Sequence, residues 1–191
     1  MLVWLQQALI SGQPSQKARV PGQTIDLITL ARQAFSEAVA VVGEKTFPQL
    51  HITAVEVVEK AKTKTTQTVP LIYPYQHIWR ILHSLFLNSI RATVRVSQER
   101  DEEDFAPVSL VIVLSPDDVS LKVSDLGGGI ERHRKVFSFE KSQSANPGLP
   151  TARVAARYLR GDLSLASLSG LTTEAVLHLK TKPKHSMEYF P

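Results

Sequence analysis

Three short segments hold residues whose types and spacing could do chemistry. Asn88 stands in the middle of a long apolar-striped stretch, with Arg91 one helical turn further on. Ser124-Asp125-Leu126-Gly127-Gly128-Gly129 follows directly on an alternating apolar run, and Gly148-Leu149-Pro150 opens a helical pattern. An asparagine offers a neutral carbonyl oxygen, which suits a hard cation. A carboxylate at a strand end is a directional acceptor. The free amides at a helix start favour an anion. Each segment alone has a plainer explanation: a solvated asparagine, a flexible glycine turn, and a helix start in which proline suits the first turn.

Those segments need elements to hold them. Ile28, Ala31, Phe35, Ala38, Val39 and Val42 fall on one helical face, which predicts a helix from Thr24 to Val42. Thr24 is placed to cap its start, and Gly43 stands where a left-handed C-terminal residue is wanted. Leu50, Ile52 and Ala54 alternate with polar neighbours, predicting a strand that Val57 and Val58 extend, and a second strand runs from Thr68 to Ile72. Ile78, Ile81, Leu82, Leu85, Phe86, Ile90 and Val94 form a wide stripe on a helix from Tyr75 to Val96, followed by a charged loop from Gln98 to Asp104. Val108–Leu114 and Val119–Val123 flank Ser115-Pro116-Asp117-Asp118, a hairpin with good turn residues. A helix from Leu149 to Leu159 stops at Gly161, and strands follow around Leu163–Ala166 and Thr173–Leu179. Paired strands separated by helices indicate an α/β class (an α+β sandwich), a mixed sheet with helices on one face. The single glycine cluster lacks the G-x-G-x-x-G spacing of a dinucleotide fold.

Composition narrows the function further. The 191 residues suit one domain. At 43% hydrophobic the chain can build a core. There is no cysteine, so disulfides, thiolate metal sites and a cysteine nucleophile are excluded. The formal charge of +4 permits an anionic ligand but falls short of a nucleic-acid-binding signature. No apolar run approaches the ~20 residues of a membrane-spanning helix. Met1 to Gly22 lacks acidic residues and carries Lys17 and Arg19, a faint hint of a transit peptide, but Pro14 and Pro21 interrupt it and an ordinary terminus is the plainer reading.

Taken in order, the motifs resemble the mitochondrial pyruvate and branched-chain 2-oxoacid dehydrogenase kinases. Leu82 to Val94, Leu-His-Ser-Leu-Phe-Leu-Asn-Ser-Ile-Arg-Ala-Thr-Val, resembles their Asn-containing helix. Ser124 to Ile130 is similar to their Asp-x-Gly-Gly-Gly adenine loop, and Gly148 to Arg153 with Tyr158 to Leu163 to the helix after their nucleotide lid. Gly170-Leu171-Thr172-Thr173-Glu174-Ala175 resembles their Gly-x-Gly-Thr-Asp element. The resemblance runs from about Ile25 to Lys180 and implies a histidine-kinase-like ATPase (Bergerat) domain over 24–180, an N-terminal extension over 1–23 and a tail over 181–191. It implies ATP and magnesium as cofactors. Asp125 would accept a hydrogen bond from the adenine amine, Gly127 and Gly129 would leave room for the purine, and Thr173 would offer a hydroxyl to it. Asn88 would hold the magnesium, the amides at Gly148 and Leu149 would face phosphate, and Arg91 would either offset phosphate charge or form a salt bridge. Arg132, Arg134, Lys135, Lys141 and Arg153 would border the same side. The resemblance further implies a component of a 2-oxoacid dehydrogenase complex as partner, the mitochondrial matrix as location, and a homodimer or a heterodimer with a related kinase through the sheet.

Departures from the family pattern bear on activity. The kinases carry a glutamate four residues before the asparagine, the base for the attacking hydroxyl, and a histidine four residues before that. Here those positions are Ser84 and Arg80. A serine hydroxyl is too weak a base to replace a carboxylate near neutral pH. His83 lies one helical step away, about 100° off the needed direction, and reads as a packed or surface histidine. Ser144 and Asn146 stand where the lid has glycines, Pro147 removes a backbone donor, Thr172 replaces a glycine and Glu174 an aspartate. The expectation is an ATP-binding relative with weak or no phosphotransfer, lacking the helical-bundle domain. The alternatives are an active protein serine kinase and an interaction module that no longer binds nucleotide.

Overall fold

A computed structural model describes residues 24–43, 46–59, 62–101, 104–130, 136–138 and 148–181. The expected extension over 1–23 and the tail beyond 181 lie outside the described residues. The elements run β1 (Thr24–Asp26), α1 (Leu27–Val42), β2 (Leu50–Glu59), β3 (Lys62–Thr65), β4 (Pro70–Ile72) and α2 (Tyr75–Arg100). They continue with β5 (Val108–Leu114), β6 (Asp118–Asp125), α3 (Gly148–Tyr158), β7 (Asp162–Leu168) and β8 (Thr172–Lys180).

Six strands form one sheet in the order β3-β2-β5-β6-β8-β7. Only β2 and β5 run parallel; the other neighbours are antiparallel, so the sheet is mixed. Side chains alternate across the strands. Val108, Leu110 and Ile112 of β5, Val119, Leu121 and Val123 of β6, and Leu177 and Leu179 of β8 are buried against the helices. The α2 stripe meets them with Ile78, Ile81, Leu82, Leu85, Phe86 and Ile90, all at 2% exposure or less. Phe86 meets Phe35 of α1 edge to face at 5.4 Å. The opposite face carries Ser109, Val111, Ser120, Lys122, Glu174 and His178, all half-buried or exposed. This is the one-sided α/β arrangement that the strand and helix pattern predicts.

Several boundaries differ from expectation. Thr24 does not cap α1: it lies in β1, which pairs with β4, and Asp26 is the cap. Asp26 accepts from the Thr29 amide at 3.1 Å and from the Val69 amide at 2.8 Å, tying the helix start to the segment before β4. Gly43 does adopt the left-handed conformation at the end of α1, with φ of 73°. The second strand is only Pro70–Ile72. Helix α2 does not yield to a loop at Gln98 but continues to Arg100, and Asp101 ends it at φ of 54°. Strand β3, a polar edge of Lys62–Thr65, has no apolar alternation to announce it.

Candidate functional site

The motif residues converge where α2 crosses the C-terminal end of β6. Asp125 is the last residue of β6, and β8 pairs with it so that Asp125 and Thr173 are direct cross-strand partners. A pocket of about 350 Å³ opens here, within the range of small-molecule sites. Asn88, Ser89, Arg91 and Arg95 of α2 line it with Asp125 and Thr173. Leu85, Val123, Leu149, Leu165 and Ala175 supply its apolar walls, and Gly129 and Ile130 its rim.

Asp125 is only 5% exposed. Its Oδ2 accepts from Ser89 Oγ at 2.7 Å, and its Oδ1 from the Gly127 amide at 3.0 Å. Burial pushes its carboxyl above the usual carboxylate range, against the pull of these two bonds. Thr172 Oγ1 donates to the Asp125 backbone carbonyl at 2.7 Å. The threonine that replaces a family glycine thus anchors the strand end that carries the acid. Ser167 Oγ accepts from the Ile130 amide at 2.7 Å, donates to the Thr172 carbonyl at 3.1 Å, and lies 3.3 Å from Thr173 Oγ1. It joins the glycine loop to β8. Glu174, which replaces a family aspartate, points to the opposite sheet face and pairs with Lys122 at 2.9 Å.

Gly127 and Gly129 sit tightly against neighbouring elements. A Cβ at Gly127 would lie 2.4 Å from Ala92 Cβ, so the missing side chain lets α2 pack against the loop. Gly129 has φ of 67°, and a Cβ there would lie 2.2 Å from the Leu168 carbonyl oxygen. Both glycines let the loop pack closely against its neighbours.

The other end of the pocket is laid out along α2. Asn88 is exposed, Ser84 and Arg80 lie one and two turns before it, and both are half-buried. The start of α3 faces this turn: a Cβ at Gly148 would be 3.9 Å from both Asn88 Nδ2 and Ser84 Cβ. Ser84 and Arg80 do not line the pocket. His83 stacks on Trp79 at 4.8 Å, and burial lowers its pKa, as a packed histidine should behave. Arg153 lies over the Phe137 ring at 4.5 Å and 3.6 Å from Asp162, engaged away from the pocket. Arg132, Arg134, Lys135 and Lys141, and the lid positions Ser144, Asn146 and Pro147, lie outside the described residues. Among the described residues no group of three or more histidine, aspartate or glutamate side chains could hold a metal ion.

Sequence reasoning missed Ser89, Arg95 and Ser167. One signal was available: Ser89, Thr93 and Ser97 recur every fourth residue, are buried, and interrupt an otherwise apolar helix face. A buried hydroxyl needs a partner, and Ser89 finds one in Asp125.

The one-sided mixed sheet, the long Asn-bearing helix and the buried acid before a glycine loop define a histidine-kinase-like ATPase fold. The comparisons agree. The chain is 34% identical over 140 residues to human pyruvate dehydrogenase kinase isozyme 3, mitochondrial, covering 64% of this chain and 34% of that protein. It is 30% identical over 202 residues to isozyme 4 of Ictidomys tridecemlineatus, covering 95% of this chain and 47% of the relative. The mitochondrial pyruvate dehydrogenase kinase of Ascaris suum is 34% identical over 131 residues, 32% of its length. No family model matches. The chain belongs to the pyruvate dehydrogenase kinase family, and it spans less than half the length of these relatives. No described helix is long and apolar enough to cross a membrane.

Proposed function

We propose that the pocket binds ATP, with the base at Asp125 and the phosphates toward Asn88 and the start of α3. The observation that carries this reading is the buried Asp125 carboxylate. Two donors hold it, and it lines a pocket of small-molecule size with acceptor capacity left over. Thr173 adds a hydroxyl on the same wall, and Arg91 and Arg95 supply positive charge near the mouth. Asn88 would hold a magnesium ion through its carbonyl oxygen, with phosphate oxygens and water completing the shell. Bound magnesium would offset phosphate charge; the chain itself supplies the base contacts and the cations beside them.

Phosphotransfer in this reading is weak or absent, because Ser84 and Arg80 stand where the family pattern has its glutamate and histidine. The alternative, an active protein serine kinase, is favoured by the Arg91–Arg95 pair. Phosphoryl transfer depends mainly on positioning and charge. The relatives' names point to a dehydrogenase complex as partner and mitochondria as location; the matrix, and self-association through the open sheet face, belong to the same proposal. Calorimetry with ATP, with and without magnesium, tests the core of it. Saturable binding that Asp125→Ala abolishes supports the reading. Absent binding in both proteins leaves the interaction module, and equal binding in both moves the base away from Asp125. Robust labelled transfer to a dehydrogenase component that vanishes in Asn88→Ala selects the active kinase.

A further inference from the structure

Both hydrogen bonds to the Asp125 carboxylate come from donors: Ser89 Oγ to Oδ2 and the Gly127 amide to Oδ1. What the carboxylate can still offer the pocket is therefore acceptor capacity alone. The torsion that turns a carboxylate is broad and roughly two-fold, so it has no strong preference of its own. One donor on each oxygen fixes it. The amide is main chain, set by the glycine loop. Ser89 is the side chain that does this work, itself 5% exposed and held on α2 where the helix packs against β6.

We propose that Ser89 is a positioning residue for base selection: its hydroxyl keeps the Asp125 carboxylate a fixed acceptor, so the pocket takes an amino-purine and refuses an oxo-purine. This rests on the reading of the pocket as a nucleotide site. An amino-purine such as adenine presents N–H donors to Asp125, whereas hypoxanthine presents a carbonyl oxygen at the same place. Two acceptors facing each other in a buried pocket are strongly unfavourable. Burial works toward a proton on Asp125, and a protonated carboxyl could donate to that oxo group. The Ser89 bond opposes the proton. Without it the carboxyl is freer to turn and holds a proton to higher pH, and both changes relax the selection. Among the described residues no other group replaces it. Arg91 and Arg95 line the pocket from the same helix, Thr173 from β8 is neutral, and the Lys122–Glu174 pair belongs to the opposite sheet face.

The test is titration of the full 191-residue chain with ATP and with ITP, from acid to alkaline pH. Ser89→Ala, Ser89→Thr and Asp125→Ala are compared with the unaltered protein. A hydrogen bond to a charged group is worth ~1.5–3 kcal/mol, so Ser89→Ala should narrow the ATP:ITP preference roughly tenfold or more. It should also move the acid limb of ATP binding to higher pH. Ser89→Thr keeps the hydroxyl and restores both. If Ser89→Ala does not fold, Ser89→Cys removes the strong donor at nearly the same size and gives the same readout. Unchanged selectivity, or equal weakening of both nucleotides with an unmoved acid limb, overturns the role of Ser89 while leaving the nucleotide site standing. Failure of the unaltered protein to bind either nucleotide, or binding that survives Asp125→Ala, overturns the nucleotide reading and this proposal with it.

Discussion

The two ends of the pocket are held in opposite ways. At the end proposed for the base, Asp125 is buried and fixed by Ser89, Gly127 and Thr172, and Ser167 ties the neighbouring loop to β8. At the other end, Asn88 is exposed, Ser84 and Arg80 are half-buried along the same helix, and α3 approaches at ordinary contact distance. The first end is part of the core, so a change there disturbs packing and polar satisfaction together. The second end lies on a helix surface, where a substitution leaves the fold almost untouched. Under the proposed function, a chain built this way could change the residues that do chemistry and keep the ones that hold a base.

That contrast can be broken from either side. The largest expected effect comes from the surface end. Ser84→Glu combined with Arg80→His should raise transfer from labelled ATP to a dehydrogenase substrate by ~10²–10⁴-fold, the usual worth of a general base. No rise would overturn the reading that Ser84 and Arg80 account for weak transfer. Next, Asp125→Ala should weaken ATP binding by about 100-fold in calorimetry, from loss of a charge-assisted hydrogen bond in a buried site. Ser84→Ala should leave binding within about twofold. Comparable losses in both would remove the distinction between the two ends.

Packing gives a smaller effect with the same asymmetry. Gly127→Ala should lower the thermal midpoint by about 5 °C, since overpacking costs ~1–3 kcal/mol and each kcal/mol is worth ~2–4 °C in a chain of this size. Gly148→Ala meets nothing closer than 3.9 Å among the described residues and should leave the midpoint nearly unchanged. The smallest effect is a control outside the pocket. Asp26→Ala removes the α1 cap and should cost about 1 kcal/mol at neutral pH by denaturant unfolding. Burial opposes ionisation of Asp26, but the bonds from Thr29 and Val69 outweigh it and hold its carboxyl below the usual range. Its contribution is then fully present above the unfolded carboxylate pKa and is lost as pH falls through the lower folded value. The two proteins should converge in acid. A gap that persists there would show that the carboxylate charge is not the source.

Legibility followed the same division. The apolar stripe of α2 and the alternation in β5, β6 and β8 were strong enough to place the sheet, the long helix and the Asp125 strand end. Periodicity could not tell a polar helix end from a polar loop, so Gln98 to Arg100 was misread. It also had nothing to detect in β3, whose polar residues form an edge. Ser89 escaped because a serine inside an apolar stripe reads as a tolerated small residue. Its importance comes from a partner 36 residues away that only the fold brings near. The glycines were recognised as necessary, but whether a missing Cβ makes room for ligand or for a helix is a tertiary fact.

The strand order has a consequence for synthesis. Strand β8 lies between β6 and β7, and Asp125 faces Thr173 across that boundary. As the chain leaves the ribosome, β2, β5 and β6 can pair while β6 still has an open edge. The wall that carries Thr172 and Thr173 does not yet exist, and such non-local pairings form slowly. If the pocket takes a nucleotide as proposed, that nucleotide has nowhere to bind until residues 172–180 have emerged, so it can reward only the nearly finished domain.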